Sequence, residues 1–150
     1  MPSLSKLGNG PKITISENVL GSSIIITAIG NDGFENVGIV LTLPSAGTYN
    51  IRYNLGIQIS TDGTFDNTWI KGRLYDIGAD SVIPGSLKYL HSLEQVVATG
   101  DLFPRQAEID VFYTTTEATT VDLQIDWHNL STNTGAIAAN DTSYGYVKFS

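Results

Sequence analysis

The chain contains no cysteine, which removes disulfides, thiolate nucleophiles and thiolate-held metals and argues against a small cross-linked secreted scaffold. Stability must then come from packing or from assembly, and 150 residues suffice to bury a core as one domain. Charge is sparse as well: Asp, Glu, Lys and Arg make up 15% of the chain, while Thr, Ser, Asn and Gly are abundant. A surface of neutral polar groups is desolvated against a partner at lower cost than a charged one. Long apolar runs are also missing. The amino terminus, MPSLSKLGNGPK, has no apolar stretch behind its charges, and no later segment reaches the length a bilayer-spanning helix requires. Neither an export signal nor a membrane partner is expected.

Positive charge is the scarcer sign, with 8 Lys and Arg against 15 Asp and Glu and a net charge of −7. Most of the acidic excess follows Ser60, in Asp62, Asp66, Asp76, Asp80, Asp101, Glu108, Asp110, Asp122 and Asp126. A negative surface repels phosphate backbones, so no nucleic-acid partner is expected.

What the chain does have is two-residue alternation. In TYNIRYNLGIQIS, from Thr48, the residues Tyr49, Ile51, Tyr53, Leu55, Ile57 and Ile59 fall on one side and Asn50, Arg52, Asn54 and Gln58 on the other. That is the pattern of a long half-buried strand, since successive side chains of a pleated strand face opposite ways. VDLQIDWH repeats it, with Val121, Leu123, Ile125 and Trp127 opposed to Asp122, Gln124, Asp126 and His128. Shorter strands are expected in KITIS from Lys12, SSIIITA from Ser22, VGIVLTL from Val37, WIKGRLYDI from Trp69, AEIDVFYT from Ala107 and YGYVKFS at the carboxyl end. Turn clusters separate them, among them GNGP, GNDG, PSAG, STDG and STNTG. The segment SLKYLHSLEQVV, from Ser86, spaces Leu87, Leu90, Leu93 and Val97 near a helical period, and a strand pair or a crossing loop fits it equally. About eight strands with regular turns and no helical alternation indicate a sandwich, jelly roll or barrel.

The order of elements after Val37 narrows this choice. An apolar strand, the turn LPSAGTY, a long alternating strand, a later alternating pair and a closing aromatic strand resemble the tumour necrosis factor-like and complement globular-head jelly rolls. Pro44, Gly47 and Tyr49 match the proline turn and Gly-x-Tyr that open that family's central strand, and TTVDLQIDWHNLSTNTGAIAANDTSYGYVKFS matches its loop-joined final strands. The resemblance covers the last three quarters of the chain and is closest to bacteriophage versions of the module, in capsid decoration (cement) proteins and fibre tips. It implies an all-β jelly-roll sandwich of about eight antiparallel strands, and a homotrimer. The expected organisation is an amino-terminal arm, residues 1–11, followed by a single jelly-roll domain, residues 12–150.

Within that frame Phe112, Tyr144 and Tyr146 fall on late strands, where the resemblance places the sheet that faces the three-fold axis. If Ile109, Val111 and Tyr113 fill the core, Phe112 projects from the other face with Glu108 and Asp110, either as an interface residue or as an edge residue under a loop. Arg52 lies on the polar side of the central strand, beside the strand carrying Asp110, and a cross-strand or inter-subunit pair is expected there. Arg52, Asp110, Phe112, Tyr144 and Tyr146 are thus the expected trimer contacts, and Leu4 and Leu7 the anchors of an arm lying on a capsid neighbour.

Chemistry-bearing motifs are few. His128, Asp126 and Ser131 suggest a hydrolase triad on paper, but a serine in a turn three residues on has no elbow or oxyanion hole to serve it. Asp62 and Asp66, with Asp76 and Asp80, only partly supply a calcium loop, and the Asp62-Gly63 turn explains the first pair without a metal. The sequons at Asn129 and Asn140 are expected to be chance. No enzyme activity and no cofactor are expected. The leading expectation is a trimeric phage decoration protein on the capsid surface, binding itself and the major capsid protein. The alternatives are the glycan-binding tip of a tail fibre or spike, and a free lectin-like module.

Overall fold

The computed structural model describes residues 13–26, 33–61, 68–93, 102–129 and 133–149. Its strands are β1 (Ile13–Val19), β2 (Ile24–Ile25), β3 (Phe34–Leu43), β4 (Gly47–Ser60), β5 (Thr68–Asp76), β6 (Ser81–Val82), β7 (Lys88–Leu93), β8 (Leu102–Thr115), β9 (Thr119–His128), β10 (Thr134–Ile137) and β11 (Ser143–Phe149), with a 3-10 turn at Ala139–Asp141. All pairings are antiparallel. The first sheet runs β1, β11, β4, β8, with β10 and β2 continuing beside the far half of β4; the second runs β3, β9, β5, with β7 and β6 both on the outer side of β5. The chain crosses between the two sheets from β2 to β3, β3 to β4, β4 to β5, β7 to β8, β8 to β9 and β9 to β10, giving two facing antiparallel sheets in a jelly-roll sandwich.

The alternation in β4 organises the core. Tyr49, Ile51, Tyr53, Leu55, Ile57 and Ile59 are all fully buried, facing Leu74, Leu123, Ile125 and their neighbours in one cluster. β4 pairs with β8 along its whole length, and on its other edge with β11 up to Asn54 and with β10 from Ile57. Gly56 makes that handover possible. Its N–H donates to Thr142 Oγ1 at 3.1 Å and its carbonyl accepts from Ala138 N at 2.8 Å. A side chain there would collide with Asp141, since a Cβ would fall 2.5 Å from that residue's own Cβ.

Three departures from the sequence expectation have local causes. The segment from Ser86 forms β7 over its described part, Lys88–Leu93, rather than a helix. A bulge opposite Ile70 and Lys71 turns both Leu90 and His91 inward, and it is this extra inward residue that lends the leucines a helix-like spacing. β8 begins at Leu102 and runs through Pro104, five residues before the expected Ala107. It pairs only with β4, so it is an outer strand, where a proline can sit without breaking a ladder. The polar side of β9 is buried as well as its apolar side. Gln124 bonds Arg73 at 2.7 Å and Asn36 at 3.0 Å, while Asp122 accepts the Gly38 N–H at 3.1 Å and Asp126 the Gly33 N–H at 2.9 Å. Gly38 stands at φ +82° inside the register shift of β3, a conformation that favours glycine.

The two sheets are tied through Tyr53. Its hydroxyl crosses the core and donates to the Ile39 carbonyl at 2.9 Å, with the Val121 carbonyl at 3.4 Å. Tyr53→Phe is expected to cost about 1 kcal/mol, because the ring still fills its space while a buried carbonyl loses its donor. Urea denaturation should show a lower midpoint at an unchanged slope; an unchanged midpoint would mean that this bond contributes nothing net.

Candidate interaction surfaces

Antiparallel partners in register share a face, so the outer surface of the first sheet reads as four rows. From β1 through β11 and β4 to β8 these are Ile13, Phe149, Thr48, Thr114; then Ile15, Val147, Asn50, Phe112; then Glu17, Gly145, Arg52, Asp110; and last Val19, Ser143, Asn54, Glu108. The first two rows hold no charged residue. They expose Ile13 at 61%, Ile15 at 64%, Phe112 at 70% and Phe149 at 43%, and the Phe112 and Phe149 rings meet across β4 with centroids 6.1 Å apart. Apolar side chains gathered on one exposed face of a polar chain make it a candidate interaction surface.

The third row holds the expected Arg52–Asp110 pair. Arg52 Nη2 lies 2.9 Å from Asp110 Oδ2, and its Nε 3.6 Å from Glu108 Oε1. Asn50 Nδ2 reaches Asp110 Oδ1 at 2.5 Å, and that bond, with the Arg52 contacts, outweighs burial and holds the Asp110 carboxyl below its ordinary pKa. So open a pair is screened by solvent and adds little to stability. Across the second, third and fourth rows lies a cavity of about 330 Å³ whose lining includes Ile15, Asn50, Glu17, Arg52, Val19 and Asn54.

Tyr144 and Tyr146 do not share this face with Phe112. They stand opposite Tyr53 and Ile51, so both turn inward: Tyr144 stacks on Tyr53 at 5.4 Å, and Tyr146, only 8% exposed, packs edge-on against Tyr49 at 5.0 Å. The outward residues of β11 are Ser143, Gly145, Val147 and Phe149. The expectation failed on parity, because the aromatics were grouped by strand without the register that separates Tyr146 from Phe149. Ile13, Ile15 and Phe149 were not singled out at all, although KITIS places its two isoleucines two residues apart.

The outer face of the second sheet has a different chemistry, also missed. WIKGRLYDI alternates, and with Ile70, Gly72 and Leu74 buried, the half-buried Trp69, Lys71, Arg73 and Tyr75 face outward. Trp69 stacks on His128, its cross-strand partner, with centroids 4.8 Å apart and planes 13° apart. Lys71 Nζ lies 4.5 Å from the Trp69 ring centre and 4.8 Å from that of Tyr89, and the Arg73 guanidinium 3.8 Å from that of Phe34.

The remaining sequence candidates resolve into scaffold roles where they are described. Asp76 is buried and accepts from Thr119 Oγ1, the Tyr113 hydroxyl and Ala79 N, and Asp80 accepts from the Tyr75 hydroxyl. Burial and the Asp76 contact together push the Tyr113 pKa up to about 12. Asp126 is occupied by the Gly33 N–H, and His128 lies flat on Trp69. Asn129 bonds the Asn133 carbonyl at 2.9 Å and accepts from Thr68 Oγ1 at 3.0 Å. Among the described residues no three His, Asp or Glu side chains converge as metal ligands. Leu4, Leu7, Asp62, Asp66 and Ser131 lie outside the described residues.

Sheet order and register define an antiparallel jelly-roll sandwich with two chemically distinct outer faces. Solved structures share this fold: infectious bursal disease virus Gt strain (TM-score 0.54, 12% identity) and the infectious bursal disease virus VP2 subviral particle (0.53, 12%), each covering 94% of this chain and 34% of the other. The Gx strain of the same virus gives 0.50 at 14% identity, with 94% and 32% covered. The chain spans about a third of the length of these matches. No family model matches it, and no curated protein does.

Burial disfavours the Asp76 carboxylate, but the donors from Thr119, Tyr113, Ala79 and Gly78 outweigh it and lower the pKa below 3.8. A pKa depressed in the folded state contributes stability that is fully present above the unfolded value and lost as pH falls through the folded one. Asp76→Asn should therefore be less stable than the parent near neutrality, with the difference shrinking as the pH falls below about 4. Thermal melts across that range check it; a constant difference would mean that the charge itself is not what the donors stabilise.

Proposed function

We propose that this chain is a virion structural protein, and within that class a homotrimeric decoration protein on the outside of a bacteriophage capsid. The observation that carries the reading is the uncharged apolar band across the outer face of the first sheet, from Ile13 and Ile15 through Phe149 to Phe112. Burying one such side chain fully contributes about 1.5–3 kcal/mol. A band of them can offset the cost of bringing copies together. The charged third and fourth rows then form its rim, where Arg52, Asp110 and Glu108 keep contact with water. The fold shared with infectious bursal disease virus particle structures supports placing the module in a virion, and the resemblance to phage decoration modules supports trimeric assembly about this face.

Two substitutions test the interface. Phe112→Ser should leave the melting temperature of the isolated domain nearly unchanged but weaken self-association by about 2 kcal/mol or more, the scale of an interface anchor. Tyr146→Ser should instead destabilise the fold by about 3–5 kcal/mol, as expected for a ring lost from a core. Light scattering at micromolar concentration reads the first and denaturation the second. A parent protein that is monomeric there overturns the trimer. The virion role is tested by producing particles without this chain: reduced thermal or mechanical resistance is expected, and unchanged particles that fail to adsorb to host cells would replace decoration with a tip function.

A further inference from the structure

We infer that the outer face of the second sheet, centred on Lys71 and Arg73, docks the carboxylate-bearing surface of a protein partner, which on the reading above is the shell subunit. In a chain of net charge −7 these two cations stand two residues apart on β5. Among the described residues, ion pairs within 4.0 Å are made only by Arg52, so neither Lys71 nor Arg73 has a carboxylate at that distance. The aspartates nearest in register, Asp126 and Asp122, are buried and accept the backbone N–H groups of Gly33 and Gly38.

Both cations are held in place by uncharged groups. Lys71 rests between the Trp69 and Tyr89 rings, while Arg73 lies on Phe34 and donates through Nε to Gln124 Oε1 at 2.7 Å. A cation already ordered on aromatic rings loses little further freedom when a carboxylate meets it, which lowers the cost of binding. Tyr89, 64% exposed, adds a ring with little to cover it. Trp, Tyr and Arg together are the residue types in which interface energy concentrates. Two cavities, of about 330 and 130 Å³, lie on the first sheet, and small ligands prefer concave sites. An open strip of cations and rings suits the extended face of a protein, and its charge selects an acidic one.

The test uses the full chain and the double variant K71E/R73E, with K71Q/R73Q as a milder pair that keeps most of each side chain's stem should charge reversal disturb folding. Binding is measured to particles made without this chain and, independently, to a poly-L-glutamate matrix and a polysialic acid matrix. The parent should bind particles with an affinity that falls as salt rises, and should be retained on polyglutamate despite its own negative charge. Both variants should keep the parent's oligomeric mass; K71E/R73E should bind particles at least about tenfold more weakly and lose retention on polyglutamate. Equal binding of parent and variants to particles overturns this inference and leaves the decoration reading standing. A parent that ignores particles overturns that reading, while polyglutamate retention lost in K71E/R73E would still support an acidic protein partner. Retention on polysialic acid but not on polyglutamate overturns the assignment in favour of an acidic glycan.

Discussion

The structure depends first on the burial of alternate residues of β4. Six side chains from Tyr49 to Ile59 lie fully buried on one side of a 14-residue strand, so a slip of one residue would move all of them into water and bring Asn50, Arg52 and Asn54 into the core. Every odd shift of register is disfavoured in this way. β8 is aligned against β4 over its full length, and β11 and β10 share the opposite edge on either side of Gly56. Every row of the first sheet's outer face, and so the separation of its apolar band from its charged rim, follows from this one alignment. Tyr53 extends the constraint to the second sheet through its hydroxyl.

The elements governed by clean alternation were legible in the sequence: β4, β9, the inward Ile109 and Val111, the outward Phe112, and the pairing of Arg52 with Asp110 across neighbouring strands. Those governed by an interruption were not. A bulge that turns Leu90 and His91 the same way looks helical, because an extra inward residue changes the apparent period without changing the strand. The two-residue β6 and the four-residue β10 are too short to show any period and exist only because longer neighbours offer free edges, whereas β2 falls inside the expected β-branched run SSIIITA.

Candidate residues followed the same division. Arg52, Asp110 and Phe112 share the outer face of the first sheet because their parity could be counted from the core residues beside them. Tyr144 and Tyr146 were assigned to that face from strand identity alone, and only the register with Tyr53 and Ile51 shows that they turn inward. The strip on β5 was readable in principle, since Trp69, Lys71, Arg73 and Tyr75 are consecutive alternate residues. Its meaning was not, because two of the three rings under the cations, Tyr89 on β7 and Phe34 on β3, come from other strands, and no local spacing links those positions to Trp69, Lys71 and Arg73.

A sandwich buries the inner faces of its sheets and leaves the outer ones to determine what the protein touches. Here the two outer faces suit different kinds of contact. The band on the first sheet carries no charge, so copies of the chain can press such bands together about an axis without burying an ion, which would otherwise cost several kcal/mol. The strip on the second sheet keeps its cations, which favours a partner of opposite sign and disfavours another strip like itself. The scarcity of charge in this chain is therefore not uniform. It is greatest on the first two rows of the first sheet's outer face, and it gives way to fixed positive charge at Lys71 and Arg73 on the outer face of the second.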